Sequence, residues 1–171
     1  MERPAEGEFA PFYARYVALV PEADILAVLD SQAEEIRRLT ASVARERETF
    51  RYAEGKWSIR EVLGHLVDGE RIFGYRAFCI SRGETAALPS FDENRYVAAA
   101  RSGATPLSEL ADELALVRRS NLVVLRRLGP SEWARVGTAS GKPVSVRALA
   151  WVMAGHPRHH FQVLSERYGL R

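Results

Sequence analysis

Residues 148–164 read ALAWVMAGHPRHHFQVL and contain three of the four histidines of the 171-residue chain. Apolar side chains recur here at the three- and four-residue spacing of a helix with one buried face, as at Leu149 and Met153. His156 and His160 continue that series. They lie one turn apart, so their side chains project from the same face, close enough to bind one metal ion. The stretch therefore predicts a core helix that carries a metal-ligating pair.

The fourth histidine, His65, lies far upstream in the segment 56–66, KWSIREVLGHL. Ser58 and Glu61 have the spacing of a capping box, which begins a helix, and His65 falls on the flank of that helix's apolar face. Two histidines from one helix and a third from another leave room for water or substrate, as in catalytic zinc sites. The alternative is a set of buried imidazoles with hydrogen-bond partners. We favour the metal, because polar rings on successive core-facing turns cost stability unless something binds them.

Glu70 falls near the middle of the apolar face of the helix that carries His65. A buried carboxylate needs a partner, and two roles stay open for it. Glu70 is either a proton acceptor or support for the metal ligands, or it forms a salt bridge to an arginine. His159 points about 100° away from His160 and is not expected to share the ion. Pro157 predicts a local bend in its helix.

The rest of the pattern predicts an all-α fold, a four-helix bundle in a single domain over residues 1–171. Long amphipathic helices are expected from Pro21 or Glu22 to about 45, from Ser58 to about 82, from Thr105 and Pro106 to about 128, and from Ser145 to about 168. Short helices are expected at 11–20, 94–101 and 131–135, and a turn or hairpin at 137–144. The connection at 84–105 is long, and long connections in compact domains are often functional.

Composition excludes several classes of protein. The 24 basic and 22 acidic residues are mixed along the chain, which gives a formal net charge of +2 and no basic block for nucleic acid. The N-terminus lacks the apolar core of a signal peptide, and no apolar run is long enough to cross a bilayer, so a cytoplasmic protein without a membrane partner is expected. Cys79 is the only cysteine, which rules out an internal disulfide, and is read as a small buried hydrophobe.

The segments KWSIREVLGHL and GHPRHHFQ, at 56–66 and 155–162, resemble those of the DinB-like superfamily, the DinB and YfiT type proteins. The resemblance covers residues 13–168. It implies an up-down-down-up four-helix bundle and a divalent metal, zinc or nickel, held by three histidines that correspond to His65, His156 and His160. Some members are described as metal-dependent hydrolases. Others are S-transferases or isomerases that use low-molecular-weight thiols such as bacillithiol or mycothiol, and many members dimerise.

The leading hypothesis is a metal-dependent enzyme acting on a small molecule, with Glu70 as the acid/base candidate. The choice between a hydrolase and a thiol S-transferase with a low-molecular-weight thiol as co-substrate stays open, and a homodimer is expected from the resemblance. A second hypothesis is a non-catalytic, metal-stabilised bundle that acts through dimerisation or stress-response interactions. DNA binding, a third, is opposed by the mixed charge.

Overall fold

The computed structural model describes residues 2–170, and four long helices form its body. The helices in chain order are α1 (Ala14–Ala18), α2 (Ile25–Ala41), α3 (Ile59–Ser81), α4 (Glu93–Ala99), α5 (Leu107–Leu125), α6 (Pro130–Trp133) and α7 (Val146–Tyr168). Short 3-10 turns lie at Pro11–Tyr13, Arg45–Arg47 and Ser102–Ala104. Helices α2, α3, α5 and α7 are the long ones, and the predicted four-helix bundle with short helices in its connections is confirmed.

Side-chain contacts between the long helices establish the directions in which they run. Helix α2 is antiparallel to α5, α5 runs in the same direction as α3, and α3 is antiparallel to α7. The pairs that show these directions are Arg37–Asp112 and Asp30–Arg126 for α2 with α5, Arg71–Glu113 and Gly74–Asn121 for α3 with α5, and His65–His160 and Gly69–His156 for α3 with α7. The bundle therefore has the up-down-down-up order that the family resemblance implies.

Serine caps begin the two helices that carry the histidines, as predicted. Ser58 accepts a hydrogen bond from the Glu61 amide, and the Glu61 carboxylate accepts one from the Ser58 amide, which completes the capping box. Ser145 accepts a hydrogen bond from the amide of Ala148 at the start of α7. These local bonds set where each helix starts, and so which residues reach the core.

The predicted boundaries of two helices are wrong. Helix α2 begins at Ile25 rather than at residue 21 or 22, because the Asp24 carboxylate accepts a hydrogen bond from the Ala27 amide and caps the helix there; it ends at Ala41. Helix α5 has Pro106 rather than Thr105 at its cap position, since the Thr105 hydroxyl donates instead to the Arg101 carbonyl. It ends at Leu125, three residues before the predicted end.

A short hairpin lies just before α7 and is one residue longer at each end than the predicted span 137–144. Strands β1 (Val136–Ala139) and β2 (Lys142–Ser145) pair antiparallel across a turn at Ser140 and Gly141, whose φ angles of 52° and 71° are left-handed. Leu88 bridges to the hairpin, because its amide donates to Thr138 and its carbonyl accepts from the Ser140 amide. The hairpin thereby fixes the start of the long connection between α3 and α5 beside the core.

Helix α7 lies at the centre of the core, with its segment 148–154 at most 1% exposed. A Cβ at Gly155 would collide with the carbonyl oxygen of Tyr16, so the glycine lets α1 pack directly on α7. Cys79 is half-buried against the core rather than fully buried. Within residues 2–170, no helix combines the length and the apolar character that crossing a bilayer requires.

Candidate metal centre

The fold brings together the three histidines that the sequence singles out. His65 on α3 meets His156 and His160 on α7, and one ring nitrogen from each lies within 4.8 Å of the others. The Nε2 atoms of His65 and His156 are 2.9 Å apart. The His160 ring centroid is 4.8 Å from that of His65 and 4.7 Å from that of His156. Three imidazoles from two antiparallel helices therefore converge on one point.

The spacing of these nitrogens fits a divalent metal. A zinc–nitrogen bond of about 2.0–2.1 Å in a tetrahedral site sets neighbouring ligand nitrogens about 3.4 Å apart. That distance falls between the shortest nitrogen separation in the cluster, 2.9 Å, and the 4.8 Å within which all three nitrogens lie. Small rotations of the rings would thus bring the three nitrogens onto one ion.

The protonation of the cluster also fits a metal. Burial lowers the pKa of His65 to about 4 and that of His160 to about 3. It lowers the pKa of His156 well below its usual value, and the neighbouring histidines and Arg118 lower it further. The three imidazoles are therefore neutral at pH 7, and a neutral imidazole keeps the nitrogen lone pair that a metal needs.

Aromatic rings enclose the cluster. The Trp57 ring centroid lies 4.8 Å from that of His65, while Tyr16 and Phe73 lie 5.4 Å and 5.6 Å from His156. Burial raises the pKa of the Tyr16 phenol, which stays neutral. These walls restrict water around His65 and His156, and a low-dielectric surrounding strengthens electrostatic interactions at the site.

Two cavities touch the cluster at different histidines. The first, of about 270 Å³, touches His65 and His156, and its other lining residues are Phe12, Tyr13, Tyr16, Phe73, Phe91, Asp92, Glu93 and Ser140. The second, of about 250 Å³, touches His160, and its other lining residues are Tyr52, Gly55, Lys56, Trp57, Val62, Glu93, Asn94, Val163 and Tyr168. Glu93, the first residue of α4, lies on the wall of both.

Glu70 does not join the histidine cluster and lines neither of these cavities. Its carboxylate accepts hydrogen bonds from Arg118 Nε and Nη2, each 2.8 Å long, and from Asn121 Nδ2, also 2.8 Å. Glu70 and Arg118 are both almost fully buried. The sequence left two roles open for Glu70, and the structure shows the second, a salt bridge to an arginine.

This buried network explains how Pro157 fits inside α7. Proline has no amide hydrogen, so the Met153 carbonyl loses its usual helical partner. Arg118 Nη2 donates to that carbonyl at 3.0 Å, and Gln32 Nε2 donates to the next carbonyl, that of Ala154, at 2.8 Å. The network thus satisfies helix carbonyls within one turn of His156 and helps to hold that ligand in place.

Sequence reasoning missed the walls of the site. Tyr16 and Glu93 lie on short helices whose patterns carry no chemical motif, although the unusual length of the connection that holds Glu93 was a usable signal. His159 is half-buried with its ring 5.4 Å from that of Tyr16, and it is outside the ligand group, as expected. Gln162 is exposed.

The fold and the site together define a helical bundle protein with a buried three-histidine cluster. The chain belongs to the DinB superfamily, whose family model matches residues 24–164. No sequence among the curated proteins matches it.

Two solved structures are similar in fold. One is YfiT from Bacillus subtilis, described as a probable metal-dependent hydrolase with an unusual four-helix bundle topology. Its TM-score is 0.75 at 18% identity, over 99% of this chain and 95% of that one. The other is a mycothiol-dependent maleylpyruvate isomerase, with a TM-score of 0.64 at 16% identity, over 84% of this chain and 60% of that one. At these identities the likeness shows a common fold.

Proposed function

We propose that this protein is a metal-dependent enzyme in which His65, His156 and His160 hold one divalent ion, Zn²⁺ or Ni²⁺. The observation that carries the proposal is a cluster of three neutral imidazoles that touches two cavities. A structural zinc site is closed by four protein ligands, whereas three ligands leave a position for a reactant. When bound, the metal supplies Lewis-acid chemistry to a donor atom of that reactant.

The proposed reaction is transfer of a low-molecular-weight thiol to an electrophilic small molecule. Transfer requires two reactants at one centre, and the two cavities that meet at the histidines give a place for each. The fold likeness to a mycothiol-dependent isomerase supports this choice, and the likeness to a probable hydrolase supports hydrolysis as the second candidate. A thiol co-substrate also favours the cytoplasm, where such thiols are kept reduced.

Glu93 is the proposed proton acceptor, because it is the carboxylate residue that lines both cavities. The thiol proton passes to Glu93, the sulfur lone pair forms the bond to the electrophilic carbon, and the leaving group departs with the electrons of the bond that breaks. Tyr16, Phe73 and Trp57 exclude water from the reacting atoms. Glu70 acts as a positioning residue through Arg118 and helix α7.

The metal content of the purified, tag-free protein tests the site. We expect about one zinc or nickel ion per chain by mass spectrometry. This ion should be lost in His65→Ala and His160→Ala and kept in His159→Ala, which removes an adjacent histidine outside the cluster. If the wild type takes up no metal even after incubation with Zn²⁺ or Ni²⁺, the enzyme proposal fails.

The metal-loaded protein then separates the two reactions. A chromogenic aryl halide with a low-molecular-weight thiol reports transfer, and a nitrophenyl ester without thiol reports hydrolysis. Glu93→Gln should lower kcat of the active reaction by about 10²-fold or more while the metal content is unchanged. Metal binding without either activity would instead favour the non-catalytic, metal-stabilised bundle.

A further inference from the structure

Two arginines of the bundle are buried, and only one has a counter-ion. Arg118 on α5 is 1% exposed and pairs with Glu70, and Arg76 on α3 is 2% exposed. Within residues 2–170, Glu70 is the only buried carboxylate, and no carboxylate pairs with the Arg76 guanidinium. An isolated charge that is removed from water is costly, so an unpaired buried guanidinium indicates a missing anion.

The free donors of Arg76 point to the same conclusion. Its Nη2 donates to the Pro89 carbonyl at 2.7 Å and to Ser140 Oγ at 2.9 Å. A guanidinium has five N–H donors, so Nε and Nη1 keep three for which residues 2–170 provide no acceptor. In the part of the chain that the structure describes, Trp151 Nε1 is the only fully enclosed side-chain polar atom without a partner. The free nitrogens of Arg76 are therefore not sealed in the core.

Arg76 lines a third cavity, of about 290 Å³, together with Pro89, Phe91 and the exposed Arg71. Phe91 also lines the first cavity at the histidine cluster, and so does Ser140, which accepts the Arg76 hydrogen bond. Arg76 follows His65 by eleven residues, three turns of α3, which places the two on the same helix face about 16 Å apart along the axis. The cavity that Arg76 lines is thus adjacent to the cavity at the histidine cluster.

We propose that Arg76 binds an oxyanion group, a carboxylate or a phosphate, of the substrate that reacts at the histidine cluster. This inference rests on the proposed function and narrows its substrate to an anionic small molecule. The planar fork of a guanidinium binds a carboxylate or phosphate through two parallel hydrogen bonds, and burial strengthens that interaction. The hydrogen bonds to Ser140 and Pro89 use only Nη2 of the guanidinium, so Nε and Nη1 are left for the ligand.

Anion binding tests the proposal without any activity assay. The probes are succinate and inorganic phosphate, titrated calorimetrically into the protein as purified and after treatment with chelator, at constant ionic strength set with chloride. We expect one of the two anions to bind saturably to both forms, and the one that binds identifies the group. Arg76→Met should abolish this binding, whereas Arg71→Met should retain it. Arg71 lines the same cavity but pairs with Glu113.

Arg76→Lys keeps the charge but loses the fork, and should weaken anion binding at least tenfold while it preserves the fold. If Arg76→Met does not fold, the anion affinity of Arg76→Lys tests the proposal instead. The proposal is overturned if neither anion binds the wild type, or if the anion binds Arg76→Lys and Arg71→Met as tightly as the wild type. His65→Ala should lose the metal and still bind the anion. Failure of the metal site and failure of the anion site therefore give different results.

Discussion

At the scale of single residues, the site depends on one missing side chain. A Cβ at Gly69 would lie 2.8 Å from Cε1 and 3.0 Å from Nδ1 of His156, closer than atoms pack. The glycine on α3 therefore makes the space in which the His156 ring stands. A residue that binds no metal can thus determine whether a metal ligand reaches its position in the site.

Gly69→Ala is predicted to weaken zinc binding by about 10–100-fold, the usual cost when the support of a ligand is disturbed. The fold should persist, because alanine is the better helix former by about 1 kcal/mol. Competition with a chromogenic chelator measures the affinity. Gly103→Ala is the control, since its Cβ would meet only Glu61 at 3.6 Å, an ordinary contact. Equal zinc affinity in a folded Gly69→Ala protein would show that His156 is not a ligand.

At the scale of elements, α7 is held by contacts from α5, from α3 and from the N-terminal segment. The pair of Arg118 and Glu70 joins α5 and α3 to the α7 carbonyl freed by Pro157. A buried pair that loses one partner leaves an uncompensated charge. Arg118→Met should therefore lower the free energy of unfolding by about 3–5 kcal/mol in urea denaturation.

The double variant Glu70→Leu/Arg118→Met removes both charges and should recover part of that loss. Equal stability of the single and double variants would mean that the charge of Glu70 is not what destabilises the single variant. Because the network also positions His156, the single variant should bind metal more weakly as well.

The N-terminal segment is clamped to the start of α7. The Glu8 carboxylate accepts hydrogen bonds from Arg147 Nε at 2.6 Å and from Ser145 Oγ at 2.7 Å, and the Glu8 carbonyl accepts one from the Ser145 amide. The hydrogen bond from Arg147, above all, lowers the pKa of Glu8 from 4.5 to about 2. The clamp therefore stays charged until the medium is strongly acidic.

Because the Glu8 pKa is lower in the folded state, its contribution to stability is full above about pH 4.5 and is lost as the pH falls toward 2. Urea denaturation at pH 7 should find the wild type more stable than Glu8→Gln, and the difference should shrink steadily below pH 4.5. A difference that is constant from pH 7 to pH 3 would contradict the clamp. Glu6→Gln, in the same segment, is the control.

At the scale of the whole molecule, apolar side chains stand exposed on the neighbouring helices α3 and α5. They are Tyr75 and Phe78 on α3 and Leu116 and Val123 on α5. Exposed apolar patches of this kind often mark protein–protein contacts. We propose that a second copy of the chain covers them, which gives the homodimer expected from the family resemblance.

Light scattering after size exclusion should then give twice the chain mass for the wild type. Leu116→Glu and Val123→Glu should shift it to the monomer, since each places a charge in the proposed interface. Val136→Glu is the matched control, because Val136 is equally exposed but lies on β1. A monomeric wild type, or dissociation in the control alone, would contradict the interface.

The sequence by itself determined the bundle, the caps of α3 and α7 and the pairing of His156 with His160. Those features depend on residues within one or two turns of each other, so helix periodicity and cap chemistry reveal them. Even the wrong start of α2 had a local signal, since Asp24 is a good capping residue. His65 was also singled out from its own segment, and the resemblance to the family added the up-down-down-up order of the helices and the thiol-transfer alternative.

The tertiary structure alone decided the partner of Glu70, the walls formed by Tyr16 and Glu93, and the missing counter-ion of Arg76. A periodic pattern tells which face of a helix is buried but not which distant helix packs against it. Whether a buried charge is paired depends on residues tens of positions away, as with Glu70 and Arg118. Long-range packing therefore turns one predicted catalytic carboxylate into support for α7 and leaves one arginine open to an anion.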